Sequence, residues 1–168
     1  MKYTSAEAAK LLRQLNEKHE DLRVLESQSS TFLASVGEDI ESVRPEYDYE
    51  DIQRQLAELE TKIRTVKHAI NRFNITHIVP GFDITIDQML VLIPQLYARK
   101  SKLSMMKSSL PKVREHSRST GSNIIDYRYA NYDIKKVEAD YDEAAEILAK
   151  AQTALDVLNN TETMDIDL

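Results

Sequence analysis

Apolar residues recur at alternating steps of three and four along separate stretches of this chain, and each run predicts a helix that buries one face. The first seam is Ala8, Leu11, Leu15, Leu22, Leu25, Phe32 and Val36, with Lys18 and Ser29 in the two register positions that are not apolar. The second is uninterrupted through Ile52, Leu56, Leu59, Ile63, Val66, Ile70 and Phe73. The last, Ile134, Val137, Tyr141, Ala144, Leu148, Ala151, Leu155 and Leu158, keeps the same heptad rhythm without a break. Between them a wider stripe of Ile86, Leu90, Ile93, Leu96, Tyr97, Leu103, Met106 and Leu110 predicts a further helix. The pattern predicts a mainly α fold in one domain, residues 1–168. Its architecture is an elongated antiparallel helical bundle or coiled coil of four long helices, over about 5–35, 49–73, 86–110 and 133–158.

Local signals supply the boundaries. Thr4 with Glu7 and Thr85 with Gln88 have the spacing of capping boxes, and Gly37 is the expected stop of the first helix. On the second helix Glu58 and Lys62, and Glu60 and Arg64, stand four apart with the acid first, the better orientation for surface pairs. Pro94 should bend the third helix and Pro111 should kink or end it. The fourth begins near Asn131 or Asp133 and stops at Asn159-Asn160. Three segments carry β-like alternation instead: 75–84 around a Pro80-Gly81 turn, 124–131 with Ile125, Tyr127 and Tyr129 on one face, and the tail 164–168. They are expected to join as a small β element at one end of the bundle, because a lone two-stranded pair is marginal in water.

Charge changes the picture more than composition does. The 168 residues carry a net charge of −6, yet no acid lies between Asp87 and Glu115 while Arg99, Lys100, Lys102, Lys107, Lys112 and Arg114 do. The start of the fourth helix is acidic, through Asp133, Glu138, Asp140, Asp142, Glu143 and Glu146. Two readings follow: a basic surface for nucleic acid or anionic lipid, or complementary packing of neighbouring helices or subunits, which the acidic balance favours. No cysteine is present, so disulfides, thiolate metal sites and cysteine nucleophiles are excluded, and a reducing compartment fits. Met1 to Leu15 has charges at Lys2, Glu7, Lys10 and Arg13 and no continuous apolar core, unlike a secretion signal, so cytoplasmic residence is expected. The longest uncharged apolar stretch, Gln88 to Ala98, is about half the roughly 20 residues of a bilayer-spanning helix, so no transmembrane segment is expected.

Candidate chemistry is sparse. His19, His68, His77 and His116 are scattered, and none follows a glutamate by three residues, the spacing of bundle di-iron sites. Neither a His-Glu-x-x-His zinc pattern nor a phosphate-cradling glycine loop can be assembled, and no serine stands in a Gly-x-Ser-x-Gly elbow. The expectation is therefore no catalytic residue, no metal site and no cofactor. Tyr127, Tyr129 and Tyr132 stand beside Arg128, and interleaved aromatics and arginines can stack bases. The blander expectation is half-buried strand side chains that keep a hydroxyl at the surface. Asn71, Arg72 and Asn74 cluster polar groups at the end of the second helix, as a capped corner or a binding site.

The order Ala-Ile-Asn-Arg-Phe-Asn (69 to 74), a turn glycine at Gly81, a Thr85-capped helix holding Leu-Tyr-Ala-Arg (96 to 99), an Arg-Ser pair (118 to 119), an alternating segment and a final heptad helix resembles the septicolysin-like family of small bacterial helical proteins. The likeness spans roughly Leu56 to Leu168. It implies a cytoplasmic-type coiled helical fold with no assigned chemistry, and the family label suggests a cytolysin.

These observations together predict a non-enzymatic structural or protein-interaction protein that self-associates through its heptad seams. Helices of roughly 25–30 residues, with Leu12, Leu33, Met89 and Met105 beside the seams, offer more apolar surface than one thin hairpin covers. A homo-oligomer is the expected partner arrangement. The alternative is nucleic-acid binding by the basic third helix, with Arg99, Lys100, Lys107, Arg114 and Arg118 as contacts. A second alternative is membrane activity of amphipathic helices.

Overall fold

A computed structural model describes residues 1–115 and 125–168. Among them the protein is mainly helical, with five helices and small antiparallel strand pairs. In chain order these are β1 (Lys2–Thr4), α1 (Ser5–Ser29), α2 (Ile40–Val43), α3 (Tyr49–Thr76), β2 (Ile78–Val79), β3 (Ile84–Thr85), α4 (Ile86–Lys107), β4 (Lys112–Arg114), β5 (Tyr127–Tyr129), α5 (Ile134–Thr161) and β6 (Thr163–Asp165). Contacts cluster in two compact units, residues 1–77 with 157–168, and residues 78–156.

In the first unit α1 packs along α3 in antiparallel register. Gln53 Nε2 and the Tyr47 hydroxyl both donate to Glu26, at 2.5 and 3.2 Å, while His19 meets Glu60 at 3.5 Å. Burial desolvates the Tyr47 phenol and the Glu26 carboxylate lies beside it, so its pKa is raised. Ala8 and Leu15 of α1 are buried with Ile52, Leu56, Val66 and Phe73 of α3. β1 pairs with β6, placing Tyr3 opposite Met164, so the first and last strands close on each other. Met164 and Ile166 sink into the core while Asp165 and Asp167 stay out, the alternation that the tail's sequence carries.

In the second unit α4 and α5 run antiparallel: Lys107 lies over Tyr141, and Tyr97 meets Gln152. Leu103, Val137 and Ala144 form a buried cluster, with Met106, Tyr132 and Tyr141 packed against it. The short β2–β3 hairpin turns at Pro80-Gly81. Phe82 N donates to Val79 O at 3.2 Å and Gly81 sits at φ +81°, the turn geometry that takes proline first and glycine second. Replacing Gly81 by alanine should lower the urea midpoint by the equivalent of about 1 kcal/mol, since a Cβ disfavours that φ.

Both expected capping boxes are present. Thr4 N donates to Glu7 at 2.8 Å and Glu7 N returns a bond to Thr4 Oγ1 at 3.2 Å; Thr85 and Gln88 repeat this at 3.0 and 3.3 Å. Asp48 and Asp133 cap α3 and α5 through the backbone N–H groups of Asp51 and Lys135. On the exposed faces the pairing departs from expectation. Glu60 is drawn to His19 rather than Arg64, whose guanidinium donates to Thr61.

Several boundaries differ from the sequence reading. α1 ends at Ser29, not near 35, and Gly37 is no helix stop but a loop residue at φ +91°. Ser27, Ser29, Ser30 and Thr31 crowd that end, and serine and threonine favour caps and turns over helix interiors. Phe32 is instead held half-buried under the Arg44 guanidinium, 5.2 Å from the ring centre. α3 and α5 continue three residues past their expected ends, each closed by a threonine: Thr76 and Thr161 donate to the carbonyls of Arg72 and Val157. α4 passes unbroken through Pro94 but ends at Lys107, ahead of the Leu110-Pro111 bond that disfavours helix. The three β-like segments do not join. The 75–84 segment folds back on itself as β2–β3, while β5 pairs with β4 and the tail strand β6 with β1, two strands that carry almost no periodic signal.

Two exposed carboxylates, Glu41 and Glu146, have their pKa lowered by a cation partner. Arg44 grips Glu41 through Nε and a second nitrogen at 2.9 and 2.8 Å, and Lys150 meets Glu146 at 2.6 Å; each holds its acid below the ordinary carboxylate value, mainly by hydrogen bonding. A lowered native pKa stabilises above the unfolded value and is lost as pH falls through the native one. In Glu146→Gln the acid limb of a urea-midpoint profile should therefore be shallower than in the parent chain, by a small margin because the pair is solvated.

Candidate functional site

The most unusual surface of the second unit is a helix with two apolar sides. On α4, Ile86, Met89, Leu96 and Leu103 are buried, as a core-facing stripe should be. At about 100° per residue, Leu90, Pro94, Tyr97, Ser101 and Met105 fall on a second side centred about 120° round from the buried stripe, flanked by Val91 and Ala98. Leu90 is 47% exposed, Tyr97 52% and Met105 69%. No charged residue lies among these seven positions, which span about 22 Å at 1.5 Å per residue. Gln152 of α5 donates to the Tyr97 hydroxyl at 3.0 Å, tying the ring's polar end to α5 while the side chain stays half exposed. Met89, expected beside the seam, is fully buried instead; the exposed stripe is the one that Leu90 and Tyr97 begin.

The basic residues of α4 divide into two sets. Lys107 Nζ sits 3.7 Å from the centre of the Tyr141 ring and Lys100 Nζ 5.8 Å from it, so α5 receives both ammonium groups on an aromatic face. Lys100 and Lys107 are thus packed against tyrosine. Two acids of α5 pair along their own helix, Asp140 with Lys136 and Glu146 with Lys150. Arg99 and Lys102 are exposed, with no ion pair among the described residues. Arg114 lies on β4, and Arg118 falls outside the described residues.

β4 and β5 form a ribbon whose six residues are all exposed. Its register pairs Lys112 with Tyr129, Val113 with Arg128 and Arg114 with Tyr127. Side chains alternate across a strand, so Lys112, Arg114, Tyr127 and Tyr129 share one face and Val113, Glu115 and Arg128 the other. On the second face Arg128 is ion-paired with Glu115. On the first, Lys112 Nζ lies 3.9 Å from the Tyr127 ring centre and 5.4 Å from that of Tyr129, and the two rings stand 6.4 Å apart at 51°. The expected half-burial fits Tyr127, at 44% exposed, but not Tyr129, at 62%. It holds for Tyr132, but its hydroxyl turns inward to donate to Met106 O at 2.9 Å, closing a carbonyl at the end of α4. β4 carries little sequence signal, since Val113 is its single β-branched residue.

The polar corner is built differently from expectation. Asn71, Arg72 and Asn74 lie within the helical span of α3, and the helix is closed by its neighbours. His77 N donates to Phe73 O at 3.1 Å, His77 Nδ1 lies 2.9 Å from the same oxygen, and the two rings stack at 3.9 Å. Of the three polar residues, Arg72 lines a cleft of about 320 Å³ in the first unit, with His68, Thr76, His77, Asp165 and Asp167. Among the described residues no three His, Asp or Glu side chains converge in the manner of a metal site, and no helix is long and apolar enough to cross a membrane.

No family model matches the chain, and no curated protein matches it. The fold is similar to the crystal structure of a functionally unknown conserved protein from Corynebacterium diphtheriae, with a TM-score of 0.63 and 19% identity over 98% of this chain and 100% of that one. At that identity the likeness speaks for the fold alone.

Proposed function

We propose that this protein is a non-enzymatic interaction protein that self-associates, and that the outward face of α4 is the contact. The observation that carries this reading is the uncharged stripe from Leu90 to Met105, exposed on a helix whose other side is already core. The heptad seams of α3 and α5 are occupied within the chain, every seam position being buried or half-buried, so a second copy uses the remaining face. That face is self-complementary. Its midpoint falls between Tyr97 and Ala98, so a twofold antiparallel pairing sets Leu90 of one copy against Met105 of the other, Tyr97 against Ala98 and Pro94 against Ser101. A bundle of long helices packed through coiled-coil-like seams, and a cytoplasmic setting compatible with a cysteine-free chain, belong to the same reading. So does the septicolysin-like resemblance, which implies a helical fold without assigned chemistry.

Light scattering across a concentration series tests it. The expected mass is twice the 19.3 kDa of one chain. A mass of one chain at every concentration overturns the proposal.

A further inference from the structure

We infer that the face of the β4–β5 ribbon bearing Lys112, Arg114, Tyr127 and Tyr129 is a stacking platform for single-stranded nucleic acid. The two rings serve no core, for every residue of the ribbon is exposed, and they remain accessible with Lys112 in place over them. Tilted at 51° with centres 6.4 Å apart, they do not stack on each other and so present separate faces to neighbouring bases. The two cations on the same face stand where a backbone phosphate beside a stacked base would lie.

Charge points to the same class of ligand. Arg99 to Arg128 holds eight basic residues (Arg99, Lys100, Lys102, Lys107, Lys112, Arg114, Arg118 and Arg128) and two acids, Glu115 and Asp126, in a chain whose net charge is −6. Glu115 is occupied by Arg128 on the far face of the ribbon, so it does not oppose an approaching phosphate on the near one. Flat aromatic faces beside lysine and arginine match unpaired bases and their phosphates. A duplex hides its base faces, and an acidic peptide offers the rings nothing to stack.

Fluorescence anisotropy of a labelled oligo-dT or oligo-U of about 12 nucleotides, titrated with the full chain at about 50 and 200 mM salt, tests this. Binding is expected at the lower salt and should weaken steeply at the higher. Tyr127→Ala with Tyr129→Ala should weaken it roughly tenfold or more, whereas the two Tyr→Phe changes should leave it within about twofold, because stacking needs the ring and not the hydroxyl. Lys112→Gln with Arg114→Gln should lower the salt slope by about 1 to 2. As the alanine pair removes cross-strand contacts, the phenylalanine and glutamine variants keep the test decisive if the ribbon opens. No binding at the lower salt overturns the inference. So does binding that the alanine pair leaves unchanged, or equal affinity for heparin or for a duplex of the same length, which would mark a polyanion surface without base stacking.

Discussion

Under the proposed self-association through α4, Leu90→Glu combined with Tyr97→Glu should leave only single chains of 19.3 kDa while helical circular dichroism stays unchanged. Both side chains are about half exposed in one chain, so a carboxylate at either position stays solvated in the monomer and the fold tolerates it. In a twofold contact every substitution counts twice, so four carboxylates would enter one uncharged stripe, desolvated and without cation partners. Association should weaken by roughly 10³-fold or more, about 4 kcal/mol at a tenfold change per 1.4 kcal/mol. Sedimentation velocity reads the change directly. A double variant that retains the parent's mass would remove α4 as the contact. The contrasting variant is Met89→Glu, one residue away on the buried side, which should unfold the unit rather than separate the copies.

Phe73→Ala should destabilise the first unit by about 3–5 kcal/mol, the range for emptying a buried phenylalanine site. Asn71→Ala, two residues earlier, should fall within about 0.5 kcal/mol, as exposed substitutions do. The contrast follows from what each side chain touches. Phe73 is 3% exposed and stacks on His77, whose backbone and ring nitrogens both approach the Phe73 carbonyl, so its loss leaves a cavity and loosens the closure of α3 at once. Asn71 points from the exposed side of the helix. Urea unfolding followed by circular dichroism should separate the midpoints clearly. Equal midpoints would mean that the corner is held by its polar residues after all.

Much of the helical framework was legible because its cause is local. The three-and-four spacing picks out the side of a helix that meets its neighbour. Along α3 and α5 every seam residue from Ile52 to Phe73 and from Ile134 to Leu158 is buried or half-buried. Capping boxes were readable for the same reason, since Thr4 with Glu7 and Thr85 with Gln88 act within one turn. The end of α1 was less legible. Leu25 is already exposed, so the seam opens before the spacing ends, and Phe32 and Val36 keep the rhythm beyond the helix.

The candidate surfaces were legible as residues but not as places. Tyr127 and Tyr129 were visible as alternating aromatics, yet spacing alone cannot say whether a strand has a core behind it, and here it has none. Lys100 and Lys107 read as free charge until Tyr141, far along the chain, is brought beneath them. Met89 and Leu90 are adjacent and both apolar; only the position of α5 and the rest of the packing makes one of them core and the other surface.

By itself, then, the amino-acid order determined the mainly helical character, most helix starts, the Pro80-Gly81 turn and which stripe of α3 and α5 turns inward, all consequences of contacts within a few residues. The tertiary structure decided the strand partners, the fate of the basic side chains, the closure of α3 by His77 and the outward apolar face of α4. Those depend on which distant segment arrives alongside, and periodicity reports that a face is sticky without naming what meets it.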